Sequence, residues 1–152
     1  TTLEINGFEV LECKPVWHNY ILSAVVRKKS SLNIEEFAAS NTKVKNEINQ
    51  FIDNYSETAI WGAGHQALAV MALADLGNRV KYVVDSAEFK QNKFTPATHI
   101  PIVSPEYFKN NPVCSIIVMA GSYSDEVVKI IDSFRLDNLK VAVLRENGLD
   151  VI

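Results

Sequence analysis

The sequence lacks the features that would point to a disulfide framework, a metal site or a membrane span. It has only 2 cysteines, Cys13 and Cys114, which lie far apart and outside any CxxC or Cys/His spacing. Both lie in apolar runs, and we expect buried, reduced thiols. The longest apolar run, residues 113–120, is far too short to cross a bilayer. We therefore expect a protein that folds without a disulfide, a metal or a membrane.

Positive charge is not in excess either. The chain has 15 Lys and Arg against 18 Asp and Glu. No segment interleaves basic with aromatic residues, so nucleic acid is not an expected partner. The N-terminus lacks the basic-then-apolar order of a signal peptide, which favours a cytoplasmic location. Because the chain starts at Thr1 rather than Met, we expect a processed or excised piece of a larger protein.

Residues 1–30 are predicted to form a β-hairpin. Two β-prone runs, residues 7–12 and 20–26, flank a connection over residues 14–19 that contains one proline and several polar residues. Two strands alone are marginally stable in water. We therefore expect the hairpin to pack on another part of the protein, or to be the edge of a domain that lies outside this chain.

Residues 31–56 are predicted to form a linking helix. Asn33 stands three positions before Glu36, which is the spacing of a capping box, and apolar residues recur at helical spacing over residues 34–55. The opposite face is polar and includes Lys43 and Glu47. The simplest expectation for this polar face is that water covers it.

Residues 57–152 are predicted to form a Rossmann-like domain. A short buried strand at 58–61 leads through a glycine-containing turn into a helix over 65–76 that Gly77 closes, and then into a strand over 80–85. Further elements follow: a strand over 99–103, a helix over 105–110, a strand over 113–120, a helix over 123–134 and a strand over 139–144. Right-handed crossovers then give an α/β fold with a doubly wound, mostly parallel sheet.

The glycine-containing turn is the main candidate binding site, because ligands of doubly wound sheets bind at the carboxyl ends of the strands. Gly62 permits the tight turn, and Gly64 lets a ligand approach the backbone. Free N–H groups at the start of the next helix attract phosphate. Ala67 is the third small residue of a GxGxxA pattern. Because a strand precedes this pattern and a helix follows it, it predicts a site for a phosphate-bearing ligand.

Other polar residues follow strand ends and share this predicted edge. Asp85 is placed either to bind a pair of ribose hydroxyls or to cap the following turn. His65 is placed to donate a hydrogen bond, either to an oxygen of the ligand or to a structural partner. The candidate ligand-binding residues are Gly62, Ala63, Gly64, His65, Gln66, Asp85, Lys90, Gly121, Ser122 and Tyr123. The sequence shows no nucleophile–base–acid arrangement, Tyr/Lys pair or metal-ligand cluster, so no catalytic residue is predicted.

Four segments together resemble the C-terminal domain of sugar C-methyltransferases. They are residues 60–77, 82–85, 90–91 and 96–102, which read IWGAGHQALAVMALADLG, YVVD, KQ and PATHIPI. Enzymes of that family use S-adenosylmethionine to methylate carbon atoms of deoxy-sugar nucleotides, and their C-terminal domain helps to hold the nucleotide-sugar. The resemblance implies a binding module that is not catalytic by itself.

The resemblance also implies what lies outside the chain. The S-adenosylmethionine site and the catalytic base would belong to a preceding methyltransferase domain in the same protein, so no cofactor is expected here. Residues 1–30 look like the closing strands of that domain, and residues 31–56 like the connecting helix. Four positions depart from the family's pattern: Leu68-Ala69 replaces a Lys-Gly pair, and Asn92 and Ala97 replace glycines.

Two further interpretations remain open. The glycine turn and Asp85 also suit a small NAD(P)-dependent oxidoreductase, although the chain has no hydride-transfer constellation. Alternatively, the turn is only a tight connection between strand and helix, and the chain is a structural or oligomerising module. Residues 62–65 also resemble the nucleotide-sugar-binding domain of sugar O- and N-acyltransferases, which agrees with a nucleotide-sugar as the ligand.

Overall fold

The computed structural model of the protein describes residues 1–29 and 34–152. Their contacts divide the chain into two compact units, residues 1–39 and 40–152. The predicted linking helix is present as α2 (Ile34–Asp53). The capping box predicted for its start, Asn33 with Glu36, lies outside the described residues.

The first unit contains the predicted hairpin, preceded by a single helical turn. After α1 (Thr2–Ile5), β1 (Phe8–Val16) pairs antiparallel with β2 (Ile21–Lys28). The connection is shorter than predicted because residues 14–16 continue the first strand. It reverses the chain through left-handed φ angles of 50°, 55° and 64° at residues 17–19.

One face of the hairpin is mostly apolar. A bulge between Val10 and Glu12 keeps Val10 and Cys13 on the same face. By its pairing, that face carries Phe8, Val10, Cys13, Pro15, Leu22, Ala24 and Val26, together with Lys28 at its end. No residue of either strand is fully buried. The expectation of a buried thiol at Cys13 is therefore wrong: the residue is exposed, because a two-stranded sheet forms no core of its own.

The second unit contains a six-stranded sheet in the order β5-β4-β3-β6-β7-β8. The strands are β3 (Thr58–Trp61), β4 (Val83–Val84), β5 (Ile102–Val103), β6 (Ser115–Val118), β7 (Lys140–Arg145) and β8 (Gly148–Val151). All pairs are parallel except β7 with β8. The predicted Rossmann-like, doubly wound α/β fold is confirmed. The antiparallel edge strand β8 was not predicted.

Helices cover both faces of this sheet. Besides α2 they are α3 (His65–Leu73), α4 (Pro105–Asn110) and α5 (Ser124–Ser133). One hydrophobic cluster includes Ile48 of α2 and Met71 of α3, and the other includes Phe108 of α4 and Ile131 of α5. The central strands β3 and β6 are buried along their whole length. Their short apolar runs suit a position between two helical layers.

Helix α3 ends earlier than predicted, and Gly77 is not its cap. Asp75 takes the left-handed conformation, with φ 57°. The N–H of Leu76 donates to the Met71 carbonyl at 3.0 Å, and the N–H of Asp75 to the carbonyl three residues before it at 3.3 Å. These bonds form a Schellman motif with aspartate where glycine is commonest. Gly77 instead lets the backbone of Thr98 pass close to the chain, because a Cβ on residue 77 would lie 3.1 Å from the Thr98 carbonyl oxygen.

The prediction that water covers the polar face of α2 is wrong at several positions. Lys43 donates to the Asn147 carbonyl at 2.9 Å, and the Glu47 carboxylate accepts the N–H of Leu149 at 2.8 Å. Arg79 also binds the last turns of this helix. These contacts fasten the turn between β7 and β8 to α2. Helical periodicity did not show them because the partners lie far away in the sequence.

Two further side chains that were predicted to be buried lie on the surface. Cys114 is exposed because β6 begins one residue after it, and its Sγ lies 3.2 Å from Ser56 Oγ. Apolar spacing in the helix predicted over residues 123–134 also places Ile130 inward, but it is 40% exposed. Val127 and Ile131 form the buried side of α5 instead.

The loop before β5 contains three left-handed residues: Asn92 with φ 59°, Ala97 with φ 63° and His99 with φ 54°. The left-handed conformation at His99 interrupts the run that was predicted as a strand, and β5 keeps only Ile102–Val103. Asparagine tolerates this conformation, whereas alanine pays about 1 kcal/mol in it because its Cβ crowds the carbonyl oxygen. Ala97 is therefore a strained position.

Replacing Ala97 by glycine is expected to raise the free energy of unfolding by about 1 kcal/mol, measured by urea unfolding followed by circular dichroism. Ala72→Gly is the matched control. Ala72 is exposed inside α3, where glycine is expected to cost about 1 kcal/mol. Equal losses of stability in the two variants would contradict strain at Ala97.

Candidate functional site

A cavity of about 590 Å³ lies at the carboxyl ends of β3, β4 and β6, where the strand order reverses. This volume is in the range of small-molecule sites. Its wall brings together most of the predicted residues: Gly62, Gly64, His65, Gln66, Asp85, Lys90, Gly121, Ser122 and Tyr123. Sequence reasoning did not single out the other lining residues: Trp61, Ser86, Met119, Ala120 and Val127. Four of them lie at or near the ends of these strands, whereas Val127 lies in the first turn of α5 and had no such signal.

The fold itself requires glycine at Gly62. Its φ is +121°, and a Cβ there would lie 2.5 Å from the Met119 carbonyl oxygen. The Gly62 N–H donates to the Val84 carbonyl at 2.8 Å, and the Met119 N–H donates to the Trp61 carbonyl at 2.8 Å. The turn is thereby held against both neighbouring strands, with no room for a side chain.

The fold makes no such demand at Gly64. Its φ of −86° and ψ of 170° are open to any residue, and nothing lies within 4 Å of a Cβ built on it. Gly64 is the N-cap of α3 and makes no side-chain cap hydrogen bond, and the first N–H groups of a helix have no intrahelical partner. Open space in the cavity wall therefore lies beside N–H groups that suit an anion.

Asp85, at the end of β4, ties the glycine turn in place. Its Oδ2 accepts the N–H of Ala63 at 2.8 Å and the Lys90 ammonium at 3.0 Å, while Oδ1 accepts the N–H of Ala87 at 2.9 Å. Burial opposes the charged form, but the Ala87 N–H, Lys90 and the Ala63 N–H outweigh it and hold the pKa of Asp85 below its ordinary value. The bond to Ala87 is the turn cap that was one of two predicted roles. The ribose contact stays a prediction.

Lys90 supplies positive charge to the cavity wall. Its side chain is 29% exposed, and its Nζ lies 3.0 Å from Asp85 Oδ2 and 5.8 Å from the centre of the Phe89 ring. A phosphate bound beside it would share the ammonium with Asp85. Lys93, from the same loop, instead donates to the Phe89 carbonyl at 2.6 Å.

The segment after β6 forms the opposite wall. It makes a 3-10 turn over Gly121–Tyr123, with φ 59° at Gly121, so α5 begins one residue later than predicted. Ser122 is not the cap of α5: the N-cap is Tyr123, which makes no side-chain cap bond. Tyr123 is 65% exposed. Ser124 Oγ is buried and has no hydrogen-bond partner among the described residues.

The chemistry that these groups offer is recognition of an anion and of hydroxyl groups. The wall provides open N–H groups, the Lys90 ammonium and the hydroxyls of Ser122 and Tyr123. In the part of the chain that the structure describes, no group of three or more His, Cys, Asp or Glu side chains could hold a metal ion. None of the described helices combines the length and the apolar character needed to span a membrane.

Comparison with known proteins gives one family match. The model of the C-methyltransferase C-terminal domain matches residues 26–143, and the predicted resemblance is confirmed. C-methyltransferase NovU of Streptomyces niveus is 26% identical over 98 residues, which make up 61% of this chain but only 23% of that protein. The solved structure of UDP-D-quinovosamine 4-dehydrogenase from Vibrio fischeri is 17% identical and matches with a TM-score of 0.48, covering 64% of this chain and 93% of that chain.

Proposed function

This chain belongs to the family of C-methyltransferase C-terminal domains, and we propose that it is the part of a sugar C-methyltransferase that binds the nucleotide-sugar. The observation that carries the proposal is the open start of α3. Gly64 leaves space in the cavity wall beside N–H groups without intrahelical partners. A diphosphate suits this position, since it accepts several N–H bonds and is attracted by the positive end of the helix dipole.

The rest of the wall supports a ligand with both charge and hydroxyl groups. Lys90 lies on one side of the glycine turn, and the hydroxyls of Ser122 and Tyr123 lie in the segment after β6. An ammonium binds phosphate, while hydroxyls donate to and accept from the hydroxyls of a sugar. A nucleotide-sugar carries both kinds of group.

Asp85 makes a dinucleotide such as NAD a poorer fit. In dinucleotide-binding folds the acid at this strand end binds the ribose hydroxyl pair. Here Oδ2 already binds two donors and Oδ1 binds a third. One acceptor position of the carboxylate is left, so the hydroxyl pair of a ribose would have to compete with Lys90 or with the backbone N–H groups of the turn for its second bond. This favours a ligand held by the glycine turn rather than by Asp85.

We place S-adenosylmethionine and the catalytic base outside this chain, in a methyltransferase domain of the same protein. The chain spans only 23% of the length of NovU, and its candidate site combines anion-binding groups without a nucleophile–base pair. We propose that residues 1–30 close the methyltransferase domain and that residues 31–56 link it to the binding domain. The mostly apolar face of the hairpin, with Pro15 and Leu22 exposed on it, supports this assignment.

The proposal is tested by titration calorimetry of the chain with UDP-glucose, dTDP-glucose, NAD and S-adenosylmethionine. We expect a nucleotide-sugar to bind and Gly64→Val to weaken it at least tenfold, about 1.4 kcal/mol, because the new side chain occupies the space beside the N–H groups. The melting temperature should not change, since the backbone there suits any residue. Ala72→Val, on the exposed side of the same helix, is the matched control and should bind like the wild type.

Three results would contradict the proposal in different ways. Binding of NAD alone would replace it with a dinucleotide site. No binding by any of the four compounds would favour a structural module. Nucleotide-sugar affinity that Gly64→Val leaves unchanged would remove the glycine turn as the site.

A further inference from the structure

A second cavity, of about 490 Å³, adjoins the first one across the glycine turn. Both cavities are lined by Gly64, His65 and Lys90, so the turn and the lysine form a common wall. The remaining lining of the second cavity is mostly apolar and comprises Ala63, Leu68, Phe89, Lys93, Phe94, Pro96 and Ile102. A ligand that lies on the common wall can therefore extend into both cavities.

The two aromatic rings of the second cavity are exposed but held in place. Phe89 is 72% exposed and Phe94 is 55% exposed. The Phe94 ring stacks on His99 at 4.5 Å between ring centres, with only 4° between the planes. The turn that carries Phe89 is fixed by Lys93, which donates to the Phe89 carbonyl at 2.6 Å. Rings that are fixed at the backbone and exposed at the face are suited to stacking against a flat ligand group.

The two cavities differ in polarity, and this difference indicates which part of the ligand each cavity suits. The first contains Ser122 and Tyr123, whose hydroxyl groups suit the hydroxyls of a sugar. In the second, the Lys93 ammonium is engaged with the Phe89 carbonyl, and the other side chains beyond the common wall are apolar. A sugar in the second cavity would leave hydroxyls without partners, whereas a nucleobase presents an apolar face.

We propose that the second cavity takes the nucleobase of the nucleotide-sugar, stacked on Phe89 and Phe94. The diphosphate then lies on the common wall, against the start of α3 and Lys90, and the sugar lies in the first cavity. This inference rests on the proposed function and adds an orientation to it. The sugar thereby lies at the carboxyl ends of the central strands, and the base lies over the loop that follows β4.

The test compares Phe89→Ala and Phe89→Leu with Leu73→Ala, an exposed apolar side chain at the other end of α3. Because stacking on an aromatic ring is lost in both Phe89 variants, UDP should bind about tenfold more weakly to Phe89→Ala and nearly as weakly to Phe89→Leu. Glucose 1-phosphate has no base, and both Phe89 variants should retain its binding. Leu73→Ala should bind both compounds like the wild type.

Saturation-transfer NMR on bound UDP-glucose provides an independent test. We expect the protons of the base to receive more saturation than those of the glucose. Phe89→Ala should remove that excess. Stronger saturation of the glucose protons, with glucose 1-phosphate weakened by Phe89→Ala, would put the sugar in the second cavity and overturn the proposal. UDP binding that Gly64→Val abolishes but Phe89→Ala leaves unchanged would overturn the base site alone. No binding of UDP, UDP-glucose or glucose 1-phosphate to the wild type would overturn this inference together with the proposed function.

Discussion

Gly62→Ala is expected to lower the free energy of unfolding by about 3 kcal/mol, a large part of the total for a domain of this size. Two effects add up. The φ of +121° is strained for any residue with a side chain, and the new Cβ would lie 2.5 Å from the Met119 carbonyl oxygen. That oxygen belongs to the backbone and cannot move without disturbing the pairing of β3 with β6. Urea unfolding followed by circular dichroism measures the loss.

Gly64→Ala is the matched control for this experiment. It lies two residues away in the same turn, yet its backbone is extended and nothing is within 4 Å of the added carbon. Its stability should fall by no more than about 1 kcal/mol, because alanine is a poorer N-cap than glycine but meets no clash. Equal losses at the two positions would mean that the turn as a whole, and not the contact with Met119, limits substitution.

Asp85→Asn is expected to lower the free energy of unfolding by about 2–3 kcal/mol at pH 7. Asp85 accepts three hydrogen bonds through its two oxygens. Asparagine has one oxygen, and its NH₂ group would face a donor, either the N–H of Ala87 or the pair Ala63 and Lys90. One or two of the three bonds are lost, depending on which donor the NH₂ group faces, and Lys90 loses its counter-charge. Asp137→Asn is the control, because that carboxylate is exposed and its replacement should change stability by less than about 0.5 kcal/mol.

The pH dependence of Asp85→Asn provides a second readout. The pKa of Asp85 in the folded protein is below its ordinary value, so the charged carboxylate contributes its full stability above the pKa of an unfolded Asp, about 3.9. That contribution is lost as the pH falls through the lower folded pKa. The difference in the free energy of unfolding between the wild type and Asp85→Asn should therefore become smaller below about pH 4. A constant difference down to pH 2 would show that charge is not the cause.

The sequence predicted the elements whose signals are local. The sheet could be deduced from alternating apolar strands and helices, because parallel strands need crossovers and crossovers have one hand. Strand β8 (Gly148–Val151) was missed because it is short and pairs back on β7 through a tight turn that Glu47 supports from far away in the chain. The end of α3 was misplaced because Asp75 takes the conformation usually reserved for glycine.

The residues of the candidate site that directly follow strands could be predicted from the sequence. Residues that follow β3, β4 and β6 meet because the carboxyl ends of neighbouring parallel strands share one edge. The bond from the Ala63 N–H to Asp85 depends on the register of β3 with β4, which no sequence pattern gave. Phe89 and Phe94 lie in an irregular loop with no periodicity, so nothing in the sequence indicated that both border one cavity.

Two of the three glycines that the family resemblance leads one to expect fall where the backbone is left-handed. Asn92 and Ala97, which stand in their places, have φ angles of 59° and 63°. Glycine adopts such angles at little cost. At these two positions the chain adopts the left-handed conformation without glycine. A further departure, at Leu68, replaces a lysine by an apolar side chain that lines the second cavity.

The fastening of the β7–β8 turn to α2 has a consequence for the order of folding. The bonds from Lys43 to Asn147 and from Leu149 to Glu47 join residues 104 and 102 positions apart. Contacts between such distant residues pay a large loop-closure entropy and are rewarded only when the intervening chain is already compact. During synthesis, α2 must wait for nearly the whole chain before its polar face finds these partners. The central strands β3 and β6 can pair once residue 118 has been made, before the partners of α2 in the β7–β8 turn exist.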